Sequence, residues 1–118
     1  MPILLILLSF AAGLLVCNAI PHLAAGLRGE AFPTPFAKPS GVGLSPPLLN
    51  VLWGWLNLFI GLAILPHLVV LSPVMPLFNT AWLAFALGFL LSGVFLALHF
   101  GRVRASGADS LRRPEALR

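Results

Sequence analysis

The chain has 118 residues, of which 59% are hydrophobic and only 8% are charged. A soluble domain carries about a quarter charged residues, so this composition excludes an ordinary soluble domain and indicates an integral membrane protein. The formal charge of +4 does not indicate nucleic-acid binding, because the basic residues occupy one loop and one tail and form no basic face.

Three apolar runs predict three membrane helices, at about 3–20, 48–71 and 77–100. Each run approaches or exceeds the roughly 20 residues that cross about 30 Å of hydrocarbon, and none contains Asp, Glu, Lys or Arg. The predicted fold is therefore all-α, an integral membrane three-helix bundle. Two prolines within 72–76 predict a tight turn between the second and third helices.

The first run contains Cys17, the only cysteine, which excludes an internal disulfide. No basic segment precedes this run, so we expect it to be a membrane helix rather than a cleaved signal peptide. Ser9 and Gly13 lie four residues apart and predict one packing face on this helix.

The loop at 21–47 holds six of the eleven prolines but keeps several large apolar side chains. A flexible linker would be polar and rich in Gly and Ser, so we predict a structured cap, part polyproline II and part turn. We expect Phe32 or Phe36 to be largely buried. The cap either closes a cavity near Asn18, His22 and Asn50 or only joins two helices.

Small residues predict the helix contacts, because they let membrane helices approach closely. The predicted packing residues are Gly54, Gly61, Gly88 and Ser92. A second small face on the third helix, at Gly93 and Ala97, predicts that this helix packs between two neighbours. These faces form either a seam within one chain or a homo-oligomer contact.

Polar residues near the loop side are the candidate binding residues. They are Asn18, His22, Glu30, Asn50, Asn57 and His99. They form either a ligand-binding cluster or independent interfacial groups, and ligation of haem by two histidines would have to use His22 and His99. All three acids lie outside the apolar runs, so we expect no carboxylate catalysis in the membrane, no catalytic residue, no metal and no cofactor.

The distribution of charge predicts the orientation. With three spans, the loop and the tail at 101–118 lie on the same side and contain all seven basic residues. The positive-inside rule makes that side cytoplasmic and places the N-terminus outside. The tail is expected to be mobile, with at most a short helix after Asp109 or Ser110.

The segment PHLAAGLRGEAFPTPFAKPSGVGLSPPLLNVLWG resembles small, uncharacterised bacterial membrane proteins that have a similar proline-rich segment between apolar helices. The resemblance covers about a third of the chain. It implies a location in the bacterial inner membrane and carries no active residue to this sequence.

The function that the sequence favours is that of a non-enzymatic accessory or assembly component, with membrane lipids and a second copy or another membrane protein as partners. One alternative is a small oligomeric transporter or channel, with Asn50, Asn57 and Ser92 along its path. The other is a membrane enzyme or cofactor carrier that uses His22 and His99.

Overall fold

The computed structural model describes the backbone of residues 3–70 and 80–112 and the side chains of 3–65 and 80–107. The elements in chain order are α1 (Ile3–Leu27), β1 (Phe32–Pro33), β2 (Leu44–Ser45), α2 (Pro47–Val70) and α3 (Thr80–Arg112). The three helices are each long and apolar enough to cross a membrane, which suggests a multi-pass membrane protein. The turn predicted at 72–76 lies outside the described residues.

Helix α1 lies in the middle of the bundle. It packs against α2 on one side and against α3 on another, and α2 and α3 make almost no contact with each other in the described part of the chain. The prediction that the third helix packs between two neighbours is therefore wrong. The central position falls to α1 because its small residues are buried towards both neighbours; among them are Ser9, Ala12, Gly13, Ala19 and Gly26.

The predicted packing glycines all lie against α1. A Cβ atom on Gly88 would strike the backbone carbonyl of Phe10, and one on Gly13 would strike that of Phe85. On the other flank, a Cβ atom on Gly54 would lie 2.8 Å from Leu23 Cγ, and one on Gly61 would lie 2.6 Å from Val16 Cγ2. At these positions glycine lets the helices approach each other more closely than any larger residue would allow.

Helix α1 is longer than the apolar run predicts, because Pro21 lies inside the helix and does not end it. The helix stops at Gly29, where φ is +71°. The amide of Glu30 donates to the carbonyl of Ala25 at 2.9 Å, and the amide of Gly29 donates to that of Gly26 at 3.0 Å. This is the Schellman arrangement, in which a glycine takes the left-handed conformation just beyond the helix.

Helix α3 also exceeds its predicted end at residue 100, since it continues to Arg112. The expectation of a mobile tail that starts at 101 is therefore wrong for 101–112. No proline interrupts this stretch, and each of its two glycines costs a helix only about 1 kcal/mol. The helix has 33 residues and is about 50 Å long, so it extends well beyond one hydrocarbon thickness.

Residues 28–46 form the cap, and they are ordered as predicted. Strands β1 and β2 pair antiparallel, with Phe32 opposite Ser45, so a short ladder stands where polyproline II was expected. Within the turn, the amide of Gly41 donates to the carbonyl of Thr34 at 2.9 Å. Phe32 is half-buried and Phe36 is 60% exposed, so the prediction that one of them is largely buried is wrong. Phe36 lies on the turn, and its ring meets that of Trp53 in an edge-to-face contact.

Candidate functional site

Asn50, at the start of α2, joins the cap to the helices. Its side chain is fully buried. The amide nitrogen Nδ2 donates to the carbonyls of Phe32 at 3.0 Å, Ser45 at 3.1 Å and Pro46 at 3.2 Å. One side chain therefore binds the backbone of both cap strands.

The same contacts fix the tautomer of His22. Because Nδ2 of Asn50 faces three carbonyls, the oxygen Oδ1 must face His22, whose Nδ1–H donates to it at 2.8 Å. In the neutral ring, His22 then has Nε2 as a hydrogen-bond acceptor. His22 is buried, and Pro21 before it does not interrupt the helix that positions it.

His99 connects α3 to the tip of the cap. A carbonyl can only accept, so Nε2–H of His99 donates to the carbonyl of Gly41 at 2.6 Å, and the neutral ring has Nδ1 as its acceptor. Phe100 links the two histidines through ring contacts, with centroids 5.1 Å from His99 and 6.3 Å from His22. Phe32 of the cap packs on Phe100 at 4.6 Å, so cap, α1 and α3 share one aromatic cluster.

A cavity of about 230 Å³ lies between the cap and the helices. Both histidines line it, together with Asn18, Thr34 and Trp53. The indole nitrogen Nε1 of Trp53 is buried and has no hydrogen-bond partner among the described residues. A buried donor without a partner costs about 1–3 kcal/mol, and this donor belongs to one of the aromatic residues that line the cavity.

The structure brings most of the predicted binding residues together. Asn18, His22 and His99 line the cavity, and Asn50 bonds to His22 at its edge. Asn57 accepts a hydrogen bond of 3.1 Å from Asn18, and it donates to the carbonyl of Trp53 at 2.8 Å.

Glu30 does not join this cluster. It is exposed on the far side of the helix end and pairs with Arg28 at 3.0 Å. The hydrogen bond and the charge of Arg28 lower the pKa of the Glu30 carboxyl. The same hydrogen bond and the charge of Glu30 raise the pKa of the Arg28 guanidinium. Glu30 is the last residue of the Schellman turn, at the start of the cap, where its side chain is exposed.

Sequence reasoning missed two residues of the site. Thr34 is buried, and its hydroxyl shares a hydrogen bond of 2.6 Å with that of Ser45. Its position between two prolines was the available signal, since prolines cannot donate and a hydroxyl there can hold the turn. Trp53 lies near the start of α2, where a tryptophan is typical of a membrane interface, and nothing in the sequence indicates that its N–H group has no partner among the described residues.

Hydrogen bonds join the polar side chains around the cavity to one another and to the cap. The described residues contain no group of three or more His, Cys, Asp or Glu that could hold a metal ion. The cavity, at about 230 Å³, is smaller than the roughly 300–1,000 Å³ of pockets that hold drug-sized ligands.

Comparison of the chain with protein-family models, curated proteins and solved structures gave no match. The resemblance to small bacterial membrane proteins stays a prediction.

Proposed function

We propose that the protein is a non-enzymatic accessory or assembly component of the bacterial inner membrane that acts through helix packing. In this proposal the N-terminus lies outside and the cap and the end of α3 lie in the cytoplasm. The partner is another membrane protein or a second copy of the chain.

One observation carries the proposal: the polar groups inside the bundle are used to hold the bundle together. Asn50 binds the cap, and Asn57 binds Asn18 across the α1–α2 contact. Ser92 donates to the carbonyl of Leu14 at 3.2 Å across the α1–α3 contact. Because Asn50, Asn57 and Ser92 are buried in these contacts, they support a dry seam rather than a wet transport path.

Such a bundle is a scaffold with two apolar outer faces. Phe59 on α2 is 57% exposed, and Leu90 on α3 is 60% exposed. Photo-crosslinking in the native membrane tests whether a protein covers either face. A benzoylphenylalanine at position 59 or 90 should give one discrete protein adduct at one position and none at the other, and a doubled mass would identify a second copy. Lipid adducts alone at both positions would contradict the proposal.

A second candidate function, small-ligand binding, is favoured by the cavity and by its lining residue Trp53, whose buried N–H group has no partner among the described residues. A ligand with a carbonyl or hydroxyl oxygen would satisfy this donor, and a hydroxyl or amide hydrogen would satisfy an imidazole acceptor. Native mass spectrometry of the protein from its own membrane should show a small adduct that the Trp53→Phe variant lacks. Trp55→Phe, which changes an exposed indole, should retain it. No adduct on the unchanged protein would leave the cavity purely structural.

A further inference from the structure

Two adjoining open grooves lie beside α3 at the capped end. One, of about 340 Å³, runs between α1 and α3 past Cys17 and Gly93. The other, of about 430 Å³, continues between the cap and the extension of α3. They share Phe32, Phe100 and Arg104, so they form one continuous apolar surface with Arg104 where its two parts meet. We call this surface the α3 groove.

Helix packing does not require the glycine on the groove floor. A Cβ atom on Gly93 would meet only Cys17 Sγ, at an ordinary 3.5 Å, whereas one on Gly88 would strike the Phe10 carbonyl. Ala97, which also lines the groove, is exposed. The small residues here keep a space open rather than admit a neighbouring helix.

The charge where the two parts of the groove meet is positive. Arg104 lies one helical turn beyond Phe100, where the apolar part of α3 ends. Its charge helps to lower the pKa of Glu30, but Glu30 already pairs with Arg28. These three residues leave one net positive charge, and Arg104 itself forms no ion pair among the side chains that the structure describes.

We infer that the α3 groove binds one anionic phospholipid, with an acyl chain between α1 and α3 and its phosphate at Arg104. The inference rests on the proposed membrane location. Hydrocarbon matches the apolar walls, and anionic headgroups attract Arg at the membrane surface. A parallel second copy fits less well, because it would bring its own Arg102 and Arg104 to the same level and add like charge.

Native mass spectrometry of the purified full-length protein tests this inference, with phosphatidylglycerol and phosphatidylcholine of identical acyl chains as probes. The unchanged protein should retain one phosphatidylglycerol about fivefold more often than one phosphatidylcholine, which corresponds to about 1 kcal/mol for one Arg contact. Arg104→Gln should reduce this preference to about one. Arg102→Gln, a neighbouring exposed arginine that does not line the groove, should keep it.

Variants in which a larger side chain fills the groove should retain neither lipid. Gly93→Leu places a side chain into the groove, and Ala97→Leu does so one turn further along without touching the Cys17 contact. Equal retention of the two lipids by the unchanged protein, or equal losses in the two arginine variants, would overturn the inference. A lipid-free dimer that either leucine variant dissociates would show instead that a second copy covers the groove. The photo-crosslinking test of the proposed function is independent of this lipid test, because positions 59 and 90 do not line the groove.

Discussion

At the residue scale, the cap depends on a few polar side chains that form hydrogen bonds with its backbone groups. The cap is too short to bury a core of its own, so its strands depend on hydrogen bonds from outside. Asn50 supplies these to both strands, and Thr34 and Ser45 close the ladder between them. Polar groups are stable in this apolar setting because nearly every one is paired.

Replacement of Asn50 by Ala should release the cap. The change leaves the carbonyls of Phe32 and Ser45 and the Nδ1–H group of His22 without this partner, at about 1–3 kcal/mol for each group that stays buried. We expect a lower melting temperature in detergent and faster deuterium uptake in residues 33–45. Ser40→Ala is the control, since Ser40 is exposed and bonds only within the turn; it should change neither. Unaltered uptake in the Asn50 variant would show that the cap holds without it.

A second prediction is that alanine has opposite effects on stability at two glycines of α3, Gly88 and Gly93. In Gly88→Ala the new methyl group meets the rigid backbone of Phe10, so α1 and α3 must separate, and overpacking of this kind costs about 1–3 kcal/mol. In Gly93→Ala the methyl group has room beside Cys17, and the gain in helix propensity is about 0.5–1 kcal/mol. Melting temperatures in the same detergent should move in opposite directions. Equal shifts would mean that the close approach at Gly88 is not needed for stability.

At the element scale, α1 ends where backbone chemistry ends it and not where hydrophobicity fades. Pro21 removes one donor from α1, yet the helix continues for six more residues to Leu27. Gly29 ends it because the chain must take a positive φ there. In α3 no comparable positive φ ends the helix before Arg112, so the arginines that follow Phe100 lie on a continuation of the same helix.

Alanine substitutions at Gly29 and Gly101 should therefore have opposite effects. At Gly29 an alanine must adopt φ near +71°, which costs an L-residue about 1–2 kcal/mol. At Gly101 the backbone is helical and a Cβ atom meets nothing within 4 Å, so alanine should stabilise the helix by about 0.5–1 kcal/mol. Thermal unfolding followed by circular dichroism measures both. A stabilised Gly29 variant would refute the role of this residue in ending the helix.

At the scale of the whole molecule, the bundle is organised around α1. Its small residues face both flanking helices, and this arrangement leaves one side of α2 and most of α3 without a protein neighbour in the described part of the chain. The cap covers one end, where it touches all three helices through Asn50, His22 and His99. The two ends of the molecule are therefore chemically different.

That difference gives a test of the proposed topology. Thr80 begins α3 at the end opposite the cap and Ser106 lies on its extension at the capped end, and both are exposed. In a Cys17→Ala background, a membrane-impermeant maleimide should label the Thr80→Cys variant in intact spheroplasts. It should label the Ser106→Cys variant only after lysis, because the basic end is expected inside. The reverse pattern would invert the orientation, and labelling of both in intact cells would rule out three spans.

The sequence by itself determined the helical fold class and the rough positions of the three apolar helices, because hydrophobic length is a local property of the chain. It also identified the packing glycines and four members of the polar cluster, Asn18, His22, Asn50 and His99, since polar residues near the apolar runs are few. Only the tertiary structure decided that α1 is central, that Glu30 stands apart and that the Trp53 N–H group has no partner within the described part of the chain. These three features depend on which helix faces meet and on how the cap packs against the helices. Both are set by contacts between residues that are distant in the chain.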